Sequence, residues 1–140
     1  MKGWILLTIS VVMLVGWLSG CTKSSSSETL IEYRRSGGFS GLDDRLTIQE
    51  DGKSILIRKS EHSEFILDSD TVNHFRALFE EAKFSQLHKE YLPLRPGADL
   101  FEYVVTYNGH TVRTMDGAVP SSLQPILDAL NQIVENRGNP

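Results

Sequence analysis

The sequence predicts an α+β domain, a mostly antiparallel sheet covered by two helices in the order β-β-β-α-β(β)-α. Three observations carry this. Apolar and polar residues alternate at 31–34 and 45–49, the period of half-buried strands, and 100–107 is rich in the aromatic and β-branched residues that favour strands. Asp51-Gly52 and Asn108-Gly109 are tight hairpin dipeptides, since their backbones accept positive φ. Two later stretches space their apolar residues by three and four, as on one side of a helix.

In residues 30–35, Ile31 and Tyr33 alternate with Glu32 and Arg34, and a glycine-rich loop interrupts the strand. Leu46 and Ile48 alternate with Arg45, Thr47 and Gln49, and Asp51-Gly52 turns the chain into Ser54-Ile55-Leu56-Ile57-Arg58. Residues 64–67 either extend the sheet or lead into the next element. Val72, Phe75, Leu78, Phe79 and Ala82 share one helical face, with Asp68 or Ser69 as cap and Leu67 and Val72 at the hydrophobic-staple positions. Residues 84–99 hold Pro93, Pro96 and Gly97, keep no period and read as a loop. Phe101, Tyr103, Val105 and Tyr107 line one face of a strand, and residues 110–115 return beside it after Asn108-Gly109. Leu123, Ile126, Leu127, Leu130, Ile133 and Val134 make a second amphipathic helix. Pro125 is tolerated only in a first turn, so this helix is expected to begin near Ser121 or Ser122.

Ahead of this domain, Lys2 precedes an apolar run at 4–18 that stops at Leu18-Ser19-Gly20-Cys21. A run of roughly 15 residues is too short to span a bilayer core of about 30 Å comfortably, and its basic start and small-residue end are those of an export signal. Leu18-Ser19-Gly20-Cys21 resembles the lipobox of bacterial lipoproteins. That likeness implies a signal peptide at 1–20 and a Cys21 that takes a diacylglycerol and, once freed, a further acyl chain. Cys21 is the single cysteine, so no intrachain disulfide competes for it. Each buried methylene adds about 0.8 kcal/mol, and two or three chains on one residue hold a protein firmly in a bilayer. Thr22 after the cysteine looks like the outer-membrane sorting pattern of bacteria with two membranes, facing the periplasm or the surface. Residues 21–29, serine-rich, then read as a tether with a root-mean-square reach of about 15 Å. Residues 30–137 are one domain's worth of chain.

The net charge of -4, made more negative by loss of Lys2, argues against a nucleic-acid partner, which calls for clustered Lys and Arg. Catalytic grammar is also lacking. His62, His74, His88 and His110 are scattered, with no two at helical ligand spacing, so neither a metal nor another cofactor is expected, and each histidine reads as a surface residue. In Gly38-Phe39-Ser40-Gly41-Leu42 the position two past the serine is Leu42, not the glycine that a nucleophile elbow needs. The glycines lack both phosphate-binding patterns. Asp43-Asp44 and Glu80-Glu81 are neighbours whose side chains diverge, and they read as solvated faces. The chain is expected not to be an enzyme.

What stands out is Arg34-Arg35-Ser36-Gly37-Gly38-Phe39-Ser40-Gly41-Leu42, a loop with one large aromatic among glycines and serines. Two readings stay open. Phe39 either folds back on the edge of the core, or it is the anchor of a binding loop made of Arg35, Ser36, Gly37, Gly38, Phe39, Ser40 and Gly41. The segment Ile31 to Leu42 resembles the start of emfourin-like proteins, small inhibitors of thermolysin-type metallopeptidases such as protealysin. The likeness extends through Leu46-Thr47-Ile48, Phe79-Glu80-Glu81-Ala82-Lys83-Phe84, Asp99-Leu100-Phe101-Glu102-Tyr103 and Pro120-Ser121-Ser122-Leu123. It implies a stoichiometric inhibitor that presents loops to a protease cleft. Such enzymes favour a bulky apolar side chain just after the cut bond, which Phe39 suits. The loop at Arg95, Pro96 and Gly97 is a second candidate contact. The lipid anchor at Cys21 departs from those inhibitors. The alternative is a non-inhibitory envelope lipoprotein acting as a protein-binding or structural module.

Overall fold

The computed structural model describes residues 27–95, 97 and 99–137. Cys21 and the leader before it lie outside these residues. The chain folds as an α+β domain on a seven-stranded, mostly antiparallel sheet. β1 (Thr29–Gly37) pairs antiparallel with β2 (Leu42–Gln49) on one side and with β6 (Phe101–Tyr107) on the other. Beyond β2 lie β3 (Lys53–Arg58) and the edge strand β4 (Glu61–Ile66). Beyond β6 lie β7 (His110–Met115) and the two-residue β5 (Glu90–Tyr91), which runs parallel to β7.

The alternation in the sequence becomes two chemically different faces. Ile31, Tyr33, Leu46, Ile48, Leu56, Tyr103, Val105 and Val112 point to one side and are buried. Helix α1 (Ser69–Glu81) adds Val72, Phe75 and Phe79 to this core, and α2 (Gln124–Arg137) adds Ile126, Leu127, Leu130 and Val134. Phe79 stacks on Tyr107 with ring centroids 4.1 Å apart and meets Phe84 edge-on at 4.9 Å. The opposite face carries ion pairs such as Arg34 and Arg45 on Asp43, and Arg113 on Glu102. Exposed pairs of this kind add little stability and serve mainly to keep the face wet.

Turns and caps fall where the local chemistry puts them. Asp68 Oδ1 accepts the Thr71 amide at 2.8 Å, which makes Asp68 the cap of α1. Of the five positions predicted for its apolar face, four are buried and Leu78 packs partly against the core. Gly52 has φ +87, and a Cβ there would stand 2.4 Å from the Leu67 carbonyl oxygen. The glycine therefore also lets the hairpin close against the chain entering α1.

Four expectations need correction. β4 is a full strand, so four strands precede α1; its sequence, Glu-His-Ser-Glu-Phe-Ile, has too few apolar positions to show a period because it lies at an edge. Within 84–99, read as loop alone, a 3-10 turn (Phe84–Gln86) and β5 form, and β5 is defined only by its partner β7. Helix α2 begins at Gln124, because residues 121–123 form a preceding turn in which the Leu123 amide bonds the Pro120 carbonyl at 2.9 Å. Thr29, placed ahead of the domain by the sequence, opens β1, and the Glu28 carbonyl accepts the Glu50 amide at 2.9 Å.

Among the described residues, no helix is long and apolar enough to cross a membrane. Phe79→Ala is expected to lower stability by about 3–5 kcal/mol, because it empties the space between Tyr107 and Phe84; urea denaturation measures the loss.

Candidate partner-binding site

The β1–β2 connection is a four-residue turn at 38–41, and it begins where the register forces it to. Gly37 pairs with Leu42 on one side and Phe101 on the other. Gly37 has φ +106 and Gly38 φ +68, and neither has room for a side chain: a Cβ on Gly37 would lie 2.5 Å from the Leu100 carbonyl oxygen, and one on Gly38 2.7 Å from the Phe101 ring. The Gly38 amide donates to the Leu100 carbonyl at 3.2 Å, and the Gly41 amide donates to the Gly38 carbonyl at 3.1 Å. The turn is thus held from below by β6 and closed on itself.

Phe39 sits at its tip and is 99% exposed. It does not fold back on the edge of the core. A phenyl ring left wholly in water forgoes burial worth about 1.5–3 kcal/mol.

The other members of the predicted loop divide by position. Ser36 and Gly37 are strand residues at the end of β1. Arg35 is not part of a contact surface at all: it is buried, with 7% exposure, on the core side of β1. Its Nη2 donates to Asp44 Oδ2 at 2.9 Å, and its Nη1 to Asn131 Oδ1 at 3.1 Å and Glu135 Oε1 at 3.3 Å. Its guanidinium also lies 5.7 Å from the Phe101 ring centroid. Burial opposes the charge, but the hydrogen bonds to Asp44 and Glu135 outweigh it and raise the Arg35 pKa.

Asp44, read from sequence as a solvated carboxylate, is 1% exposed. It also accepts Arg58 Nε at 3.1 Å, so two guanidiniums share one buried carboxylate. Parity explains the error. Asp44 shares its face with Leu46 and Ile48, and Arg35 shares its face with Ile31 and Tyr33. Extending the alternation to the strand ends would have placed both inside.

Tyrosines close the same region. Tyr33 donates to Asn131 Oδ1 at 2.7 Å, and burial pushes its pKa well above the usual tyrosine value. Tyr103 donates to Asp116 Oδ1 at 3.0 Å; burial, then that hydrogen bond, push it up to about 12. The second Asp116 oxygen takes the Phe101 amide at 2.8 Å, which fixes the start of β6 beside Gly37.

The second predicted loop leaves from the same end of the sheet. β5 runs parallel to β7 towards Met115, and Met115 pairs with Glu102 at the start of β6, next to Leu100 and the turn. Arg95 and Gly97 are exposed, and Pro96 lies outside the described residues. The sequence reading missed Leu94, which is fully exposed, and Leu92, which is half exposed. No periodic signal marks them, because the segment belongs to no regular element.

Elsewhere the structure offers little chemistry. A concavity of about 390 Å³ at the far end of β3 and β4 is lined by Ile55, Phe65 and Ile66 among others. Among the described residues no group of three His, Cys, Asp or Glu side chains is placed to hold a metal ion. His110, read as a surface residue, is partly buried, with Nε2 3.0 Å from the Leu87 carbonyl and its ring edge-on to Phe84. No protein-family model matches the chain, and no curated protein matches it.

Asp44→Asn keeps the shape of the side chain and withdraws the charge that Arg35 and Arg58 share. Breaking a buried pair leaves a charge uncompensated, so a loss of about 3–5 kcal/mol is expected in urea denaturation.

Proposed function

We propose that this chain is a lipid-anchored envelope protein whose domain binds the cleft of a thermolysin-type metallopeptidase through the turn at 38–41 and inhibits it. The observation that carries the reading is Phe39, 99% exposed on a turn whose Gly38 is fixed by Leu100 and Phe101. A side chain offered on a rigid support loses little entropy on docking, and a central aromatic filling a pocket is the common form of a binding hot spot. Leu94, exposed at the same end, supplies a second apolar contact beside Arg95 and Gly97.

The polarity of β1 supports the anchored arrangement. Residues 27 and 28 meet the sheet beside Gln49 and Glu50, at the end opposite the turn. Eight strand steps separate Thr29 from Gly37, about 26 Å of extended chain. A tether from an acylated Cys21 would enter at the membrane side, and Phe39 would point away from the bilayer.

Full-length protein in detergent micelles, added to thermolysin at stoichiometric excess, should suppress cleavage of a reporter peptide; undiminished rates would overturn inhibition of that enzyme and favour a module that binds without inhibiting. Phe39→Ala should weaken inhibition by about 30-fold or more, the range of a hot-spot truncation, with the melting temperature unchanged. Separately, Cys21→Ser should abolish incorporation of labelled palmitate in cells. Label still entering that variant would defeat the anchor.

A further inference from the structure

Building on the docking of Phe39 just past a peptidase's cut site, we infer that the turn holds the Gly38–Phe39 peptide bond in a form such an enzyme engages without hydrolysing. With Phe39 in that pocket, the bond on its amino side lies across the catalytic group, and the Gly38 carbonyl is the one exposed to attack. Hydrolysis adds water to the Gly38 carbonyl carbon, breaks its bond to the Phe39 nitrogen, and delivers a proton to that departing amine. Each change requires the peptide unit to move.

The turn opposes this motion from both sides. The Gly38 carbonyl already accepts the Gly41 amide at 3.1 Å, and the Gly38 amide is donated to Leu100 at 3.2 Å. Substrates commonly lie in a peptidase cleft as an extended strand, with main-chain hydrogen bonds along their length. Gly38, at φ +68, is not extended, and its α carbon is packed so closely on Phe101 that a Cβ would stand 2.7 Å from the ring. Straightening residues 38–40 would break the ring closed by Gly41 and pull Gly38 away from Leu100. The strands at each end resist it, because Gly37 is paired with both Leu42 and Phe101. Leu100 and Gly41 act here as positioning residues through their main-chain groups.

The test compares the full-length protein with a variant carrying two extra glycines after Ser40, which opens the turn. Both are incubated in micelles with thermolysin, and mass spectrometry follows new ends at Gly38 and Phe39. The variant should be cut at this bond about fivefold faster or more, the effect of releasing the Gly41–Gly38 hydrogen bond. Equal cutting of both proteins there overturns the inference, and so does equal survival. Amide exchange of the unaltered protein needs no variant: the Gly41 amide should exchange far more slowly than that of Ser40, and equal rates overturn the inference. Inhibition of a reporter peptide is read in parallel. A bond that survives only in the closed turn while the reporter is cut at full rate would sink the docking reading and leave the lock standing.

Discussion

The Arg35–Asp44 ion pair is the interaction on which the arrangement of this domain depends. A guanidinium and a carboxylate that have both left water are costly unless each is fully partnered, so the elements that partner them are held in place. Arg35 and Asp44 are direct neighbours across β1 and β2. Arg58 brings in β3, Asn131 and Glu135 bring in α2, and the Phe101 ring brings in β6. A one-residue slip of β1 on β2 would turn Arg35 outward and Arg34 inward and part Arg35 from Asp44, which stays inside beside Arg58, so the polar cluster specifies register where apolar packing alone is more tolerant.

Its position matters as much as its strength. The cluster lies three residues below the turn that carries Phe39, on the face covered by α2. Below the turn is a dense polar network, and beside it are the backbone of Leu100 and the ring of Phe101. The result is an exposed aromatic on a support with little freedom to relax. Leu94 leaves the sheet at the same end by way of the parallel β5, while residues 27 and 28 meet it at the opposite end. The turn and the point where residues 27 and 28 meet the sheet are therefore separated by the full length of β1.

Much of the fold was legible in the residues. Asp51-Gly52 and Asn108-Gly109 marked two hairpins, and both occur, with Asn108 at φ 48 and Gly109 at φ 76. Asp68 was one of two caps considered, and the Thr71 amide selects it. β4 and β5 were illegible for different reasons: the first is a polar edge, and the second is two residues long and exists through its pairing. Of the candidate loop, Gly38, Phe39, Ser40 and Gly41 form the turn as expected, whereas Arg35 is interior. The pattern that reveals Arg35 and Asp44 was present, but a charged side chain at the end of an apolar alternation reads as the edge of the core until its partner is found.

By itself the sequence determined the local features: strand periods, turn positions, a helix cap and the absence of a second cysteine. These follow from steric limits on φ and from the pitch of strand and helix, which act over a few residues. Only the tertiary structure decided that Asp44 is buried, that Phe39 is exposed, and that Leu94 and the turn share one end of the sheet. Each depends on which strands become neighbours and in what register, and pairing across the sheet joins residues as distant as Arg35 and Tyr103. Contacts of that span are set by the balance of burial and hydrogen bonding over the whole domain, which no short window of sequence contains.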